Sequence, residues 1–309
     1  MAITAPTVTG DFSGFLTKER AEPIFNEAYR ASAAQQLARK VPLGLAGTEV
    51  PVITSKPTAA WVAEAGQKPA SKGGMTLKSM TPKKIAAIAV VSAEVVRANP
   101  GGYVDEIRPQ LGEAFAIAFD AAVFHGTNTP FGAYLDQATN AVGIGSTAAN
   151  AGSVHGDLVA ALRLLVSSGK KLTGFALDTR LEPDLLGAVD TTGRPLYIES
   201  PYEGTAPAAR GGRLLGRPSS MADGIGAATP GGTSVTYPLG YAGDWSQVAW
   251  GQIGGISYDV STEATVTING ELTSLWENNL VAVRAETEFG LLINDVSAFV
   301  KLTKTTPSS

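Results

Sequence analysis

The sequence predicts an α+β fold, and three observations carry that prediction. Residues 51–69 and 80–94 read as extended arms around a polar Ser-Lys-Gly-Gly tip, a long β-hairpin signal over 51–91. Tyr103 to Phe124 carries the longest run of apolar residues at intervals of three and four, one face of an amphipathic helix. From Val248 onward, short segments alternate apolar and polar residues as half-buried strands do. An isolated two-stranded hairpin is marginal in water, so one this long needs a surface to lie on. A neighbouring subunit is the expected surface.

In chain order, residues 1–16 are polar and irregular and read as an arm. Helix formers dominate from Thr17 to Lys40, with Ile24, Ala28, Ala31, Gln35 and Leu37 near helical spacing and Pro42 as the stop. After the hairpin, Ser92 is placed to cap a short helix through Arg97, ended by Asn-Pro-Gly-Gly at 99–102. The long helix follows, with Val104, Ile107, Leu111, Phe115, Ala118, Ala122 and Val123 on its apolar face. It would be roughly 30 Å long, and Pro109 either bends it or marks the start of its regular part.

Leu158, Leu162, Leu165 and Val166 form a further helix face ending at Gly169, and Phe175 to Asp178 is strand-like. Thr179-Arg-Leu-Glu182 reads as a capping box opening a helix with a core face of Leu181, Leu185, Leu186 and Val189. Residues 200–234, rich in Gly, Pro, Arg and Ala, are expected to be mobile loops. Strands are expected over 257–261, 264–268, 279–288 and 297–302. No internal repeat occurs, and no linker separates independent domains.

Composition excludes several function classes. With no cysteine there are no disulfides, thiolate metal sites or cysteine nucleophiles. The two histidines, His125 and His155, have no spaced partners, which leaves zinc hydrolysis and Ser-His-Asp catalysis without their residues. No leader pattern and no membrane-length apolar run is present, so a soluble cytosolic chain is expected. The net charge of −4 argues against a tight nucleic-acid binder. Charged residues make up 17% of the chain, against roughly 25% in ordinary soluble domains. That suits a protein which buries its exterior against copies of itself, and equally a Gly- and Ala-rich bacterial composition.

The motif-like segments favour structural roles. Gly143-Ile-Gly-Ser-Thr-Ala148 resembles a dinucleotide fingerprint, but a polar Asn-Ala-Gly stretch follows where a helix is required. Asp178, Glu182 and Asp184 fit an acidic helix start better than an acid/base site. Glu286 and Glu288 share one face of a strand and suit salt bridging. His125, just before Gly126, reads as a C-terminal helix cap. The lysines at 68, 72, 78, 83 and 84 make the hairpin basic, without the aromatic interleaving of a nucleic-acid surface. Trp61 in an exposed hairpin is best explained as an interface anchor.

These segments, taken together, resemble the major capsid proteins of tailed bacteriophages with the Hong Kong 97-type fold. Ala-Trp-Val-Ala-Glu-Ala-Gly-Gln-Lys-Pro (60–69) is similar to the family's extended-loop tract, and Leu77 to Ser92 to the strand returning from it. Tyr103 to Gly126 with Thr-Pro-Phe-Gly (129–132) resembles the spine helix and the segment after it. Arg213-Leu-Leu-Gly-Arg-Pro (213–218), Gly243-Asp-Trp-Ser-Gln-Val (243–248), Val283-Arg-Ala-Glu (283–286) and Ala298-Phe-Val-Lys-Leu (298–302) resemble axial-domain and peripheral-domain motifs. Each is short; their order and spacing over about 50–302 make the match.

The resemblance implies an N-terminal arm and helix (1–48), an extended loop (49–92), a peripheral domain with the spine helix (93–135), an axial domain (136–255) and return strands of the peripheral domain (256–309). It implies a non-enzymatic shell protein, without cofactor or metal. Hexamers and pentamers of it would close into an icosahedral container for double-stranded DNA, with portal and scaffolding proteins as further partners and no membrane. The arm begins close to Met1, so scaffolding is expected to be separate or unnecessary. Contacts between subunits are expected at Trp61, Glu64, Lys68, Lys72, Lys78, Arg210 and Arg213. Some members crosslink a loop lysine to an asparagine; Asn278, Asn279 and Asn294 are available, but no motif assigns them and no crosslink is expected. The rival readings are an encapsulin-type compartment of the same fold and, from another class, a hydrolase or transferase with a dimerisation hairpin.

Overall fold

The computed structural model describes residues 32–64, 66–98, 103–147, 153–187, 198–199, 210–232 and 234–306. Two larger sheets and two projecting hairpins organise them. The first sheet has four strands in the order β1 (Arg39–Lys40), β11 (Val248–Ser261), β14 (Leu280–Ile293) and β4 (Lys83–Ser92). Its β11–β14 and β14–β4 pairs are antiparallel, while β1 joins β11 in parallel. The helix α3 (Tyr103–Phe124) buries Ile107, Leu111, Phe115, Phe119 and Val123 in one core with Trp250, Ala285, Phe289 and Leu291 of this sheet. Phe119 and Phe289 meet at 5.0 Å between ring centroids, an aromatic contact that adds to area burial. The helix therefore has the predicted bounds, with Pro109 inside it rather than at its start. Its face differs at one place: Ala118 is exposed and Phe119 is buried, which continues the i, i+4 row Leu111–Phe115–Phe119–Val123.

The second sheet has seven strands in the order β5 (Asn140–Gly143), β15 (Phe299–Thr305), β10 (Thr236–Gly243), β6 (Gly174–Leu177), β9 (Arg217–Met221), β8 (Arg210–Leu214) and β7 (Ile198–Glu199). The helix α4 (Ser153–Ser167) packs Val154, Leu158, Ala161 and Leu165 into a core with Phe175, Leu177, Val300 and Leu302. It ends in a Schellman motif: Lys170 N–H donates to Leu165 O (2.9 Å) and Gly169 N–H to Val166 O (3.0 Å). Gly169 sits at φ +69°, where a Cβ would be strained. Val166, predicted on the core face, is exposed.

The strand pairings differ from the expected ones at several places. The predicted Thr17–Lys40 helix is described only from residue 32. There α1 (Ala33–Leu37) ends three residues early, because Ala38 is extended and Arg39–Lys40 pair with Ala249 and Trp250. The return arm of the hairpin is not 80–91. β2 (Thr48–Ser55) pairs with β3 (Gly74–Met80), whereas residues 83–92 belong to β4. Thr81-Pro82 separates the two, and the ring of Pro82 removes a ladder donor there. The loop expected over 200–234 contains the β8–β9 hairpin, with Leu215 and Gly216 both at positive φ in its turn; 200–209 lie outside the described residues. Residues 297–302 are expected beside the strands from 256 onward, but β15 pairs with β10 and β5 of the larger sheet. Conversely, β11 begins at Val248 and belongs wholly to the smaller one.

The capping box at Thr179 is also replaced. Asp178 is the cap, accepting from Arg180 N–H (3.0 Å) and Gly226 N–H (2.9 Å), and Arg180 grips both its carboxylate oxygens. Helix α5 (Glu182–Leu186) follows, with Leu185 buried and Leu186 exposed; Val189 lies outside the described residues. Burial alone would raise the Asp178 carboxyl, but the Arg180 side chain and the two N–H bonds outweigh it and hold the group below its ordinary value. A depressed folded value makes this stability complete above the unfolded-chain value of about 3.9 and lost as pH falls through the folded value. Asp178→Asn is therefore expected to lower stability at neutral pH and to flatten the acid limb of a denaturation-midpoint-versus-pH curve.

Candidate subunit interface

The base of the β2–β3 hairpin is fixed to the body by a gap in the four-stranded sheet. Gly251 and Gly290 are register partners on β11 and β14. A Cβ on Gly251 would lie 2.8 Å from Leu43 Cβ, and one on Gly290 would lie 2.9 Å from both Leu43 Cδ2 and Met80 Cγ. Met80, the last residue of β3, is fully buried in this socket. Lys78 Nζ adds a 2.8 Å hydrogen bond to Asn294 O. Gly290→Val would expel Leu43 and Met80 from the socket. The expected result is a folded chain whose hairpin has lost its fixed exit, seen as increased amide exchange confined to β2 and β3.

Beyond the base the hairpin has no cover. Ile53, Met75 and Leu77 are exposed, and Trp61 at the tip is 105% exposed. The tip is clipped internally: Ser71 Oγ accepts from Thr58 N–H and donates to Thr58 O, both at 3.0 Å, and Gly66 N–H donates to Ala63 O at 2.9 Å. Glu64, Lys68 and Lys72 are exposed on the same tip. The structure thus gathers four of the predicted contact residues, Trp61, Glu64, Lys68 and Lys72, on one projection. Lys78 is half-buried and spends its ammonium within its own chain. Arg210 and Arg213 are elsewhere, on β8 near the far edge of the seven-stranded sheet, with Arg213 exposed.

A second projection escaped the sequence reading, which placed a strand at 264–268 without a partner. β12 (Thr265–Ile268) pairs with β13 (Glu271–Ser274) around Asn269-Gly270, whose φ values of 53° and 88° define a tight hairpin turn. Asn-Gly between alternating segments was the signal available for it. Val266, Ile268 and Leu275 pack on Val90, Leu280 and Ala282, while Leu272 and Trp276 are 80% and 78% exposed.

The other polar clusters are tied together mainly within the chain, although His125 Nε2 is buried without a hydrogen-bond partner. Asp120, buried in α3, accepts from Ser32 Oγ (2.6 Å), Ala33 N–H (3.1 Å) and Ala34 N–H (3.3 Å), tying the start of α1 to the long helix. His125 closes α3 through its N–H to Ala121 O as expected, but its ring also pairs with Asp136 at 2.9 Å. Tyr241 donates to Asp136 at 2.8 Å; burial and that carboxylate push its hydroxyl far above the ordinary tyrosine range, so it stays protonated. In the Gly143–Thr147 loop the donors a phosphate would need are taken by Asp157, which accepts from Gly145 N–H, Ser146 Oγ, Thr147 N–H and Thr147 Oγ1. Glu286 pairs with Lys84 at 2.6 Å, as its strand position suggested. Among the described residues no group of three or more His, Cys, Asp or Glu is placed to hold a metal ion.

Comparison with known proteins bears on what such a chain is for. A model of the phage capsid family matches residues 13–304. The protein of Mycobacterium phage D29 named "Probable major capsid protein gp17" is 45% identical over 302 residues, covering 96% of this chain and 92% of its own. Its namesake from Mycobacterium phage L5 is 44% identical over 306 residues, with 96% and 91% covered. Among solved structures, a chain of Gordonia phage Cozz shares the fold with a TM-score of 0.70 at 23% identity, over 97% of this chain and 94% of that one. With both sheets, the long helix and both projections inside the matched span, the chain belongs to the phage capsid family, as a major capsid protein.

Proposed function

We propose that this capsid protein builds its shell through the β2–β3 hairpin, which lies over a neighbouring copy. The observation that carries the reading is a hairpin with a firmly socketed base and an uncovered apolar tip, Trp61 foremost. A surface of this kind is what an interface needs: a large aromatic anchor with a polar surround. Contacts between different patches of identical chains close into rings when the rotation is right. On this reading the four-stranded sheet with α3 is the peripheral domain and the seven-stranded sheet with α4 the axial domain, and hexamers and pentamers close an icosahedral shell around double-stranded DNA. Portal and scaffolding proteins join it during assembly in the host cytoplasm. The role is structural, without a catalytic step, and maturation swings the hairpin while the sheets move as rigid bodies. The protein relatives are phage capsid proteins, which supports a virus shell over an encapsulin-type compartment.

The test is light scattering of the purified chain, followed by electron microscopy of the large fraction. Closed particles or ring-shaped capsomers are expected. A species near 31.8 kDa under all conditions, including with added scaffolding protein, would overturn the reading.

A further inference from the structure

Of the nine asparagines in the chain, Asn269 is the only one followed by glycine. A side chain at the following position shields the backbone nitrogen between the two residues, and glycine leaves it bare. Asn269 and Gly270 form the turn of the β12–β13 hairpin, and both are exposed. Their φ values of 53° and 88° are close to those of a type I′ turn. The strand pairs end at Ile268↔Glu271, so Gly270 N–H lies outside the ladder. Among the described residues neither that N–H nor the Asn269 side-chain amide has a hydrogen-bond partner. A Cβ on Gly270 would meet nothing within 4 Å. The nearby asparagines are held instead: Asn278 Nδ2 donates to Ser274 O (2.9 Å), Asn294 Nδ2 to Gln247 Oε1 (2.7 Å), and Asn279 Nδ2 to Glu94.

We propose that Asn269-Gly270 is a self-modification site, at which the side-chain amide is lost without an enzyme and the acidic hairpin gains a further carboxylate. The Gly270 nitrogen, its proton taken by solvent base, attacks Asn269 Cγ. The N–Cγ bond forms, the Cγ–Nδ2 bond breaks, and Nδ2 leaves as ammonia with a proton from water. Water then opens the cyclic imide at either carbonyl. One opening gives aspartate, the other isoaspartate, whose main chain is one methylene longer; no electrons change hands. The turn sets the pace, because ring closure needs a rotation about the Asn269 Cα–C bond that a closed type I′ turn forbids. The reaction therefore takes place when the hairpin opens. Two strands of four residues make a marginal ladder, held to the body by Val266, Ile268 and Leu275, and such an element opens locally.

Both products alter this projection. Glu263, Glu271 and Glu277 are exposed on it, and no Lys or Arg occurs from Thr262 to Val283, so the new charge enters a segment without a cation of its own. Isoaspartate also lengthens the turn. The turn fixes the register of a hairpin, so Ile268 and Glu271 no longer close the ladder, and Val266 and Ile268 lose their seat on Val90, Leu280 and Ala282. The chain thus carries a mark of its own age on its second projection, whatever the β2–β3 hairpin docks on.

The test is peptide mapping of the full chain held at neutral and at mildly alkaline pH, with enzymatic methylation to count isoaspartate. Asn269 is expected to convert at least an order of magnitude faster than Asn278, Asn279 or Asn294, and faster at the higher pH because base removes the Gly270 proton. Equal conversion at all four positions, or none at Asn269, overturns the proposal. Asn269→Gly leaves a Gly-Gly turn that hairpins accept, and it is expected to abolish the isoaspartate mapped to residues 262–283. A signal there that survives the substitution overturns the assignment to this site. Anion exchange separates modified from unmodified chains for a second readout. Modified chains are expected to lose amide protection over Thr265–Ile268 and Glu271–Ser274 alone, and unchanged protection there overturns the structural effect.

Discussion

Replacing residues 56–73 with a two-residue Asn-Gly turn is expected to leave a folded chain that no longer forms shells. The cut removes the tip but keeps β2, β3 and their pairing from Thr48↔Met80 to Ser55↔Gly74. It also keeps Met80 in its socket and Lys78 on Asn294. The segment removed contributes no residue to the three buried cores, so the denaturation midpoint should move little. Assembly should fall by orders of magnitude, because the loss of one Trp anchor at an interface commonly costs ~2 kcal/mol or more and every copy in a shell loses it. Sedimentation and electron microscopy measure the first effect, and calorimetry the second. Normal shells from this variant would remove the hairpin from the mechanism.

The largest stability loss is expected from Asp120→Ala. Its carboxylate is fully buried and accepts from Ser32, Ala33 and Ala34 at the start of α1, where unpaired N–H groups favour a negative charge. Truncation leaves those donors buried without this acceptor, at a cost of roughly 3–5 kcal/mol. Asp120→Asn keeps one acceptor oxygen and should cost less. Denaturation midpoints give the size of the effect. Amide exchange gives its location: protection should be lost first at Ala33–Leu37 and Arg39–Lys40, since β1 holds the sheet by only two register pairs. Equal loss across the second sheet would contradict the role assigned to Asp120.

How much of this was legible in the sequence depends on the kind of signal. The long helix was readable to its ends, because its i, i+4 row is a local pattern, although Ala118 was preferred to Phe119 by a single position. The existence of a projecting hairpin was readable from its polar, glycine-rich tip. Its return strand was not, because β3 and β4 are both extended and periodicity carries no information about which strand each will pair with. β10 was missed altogether: Thr-Tyr-Pro-Leu-Gly-Tyr-Ala-Gly contains a proline and two glycines, and from Leu239 to Gly243 it is buried throughout, so it shows no alternation. At the candidate interface Trp61 and the tip lysines stood out, since a large aromatic group in a polar loop lacks a core explanation. The β12–β13 hairpin did not stand out, although an Asn-Gly turn marked it. Asp120 was silent for a different reason: its partners lie more than eighty residues away in sequence.

The paired strands β11 and β14 run from one projection to the other without a hinge other than the irregularity between Ile253 and Ser257. The number of residues in them therefore works as a gauge. With side chains alternating at period two, lengthening both strands by two residues keeps every buried face buried and moves the projections apart by about 7 Å. A lattice made from such units would change its mesh while its joints stayed the same, so particle diameter becomes a quantity written in strand length.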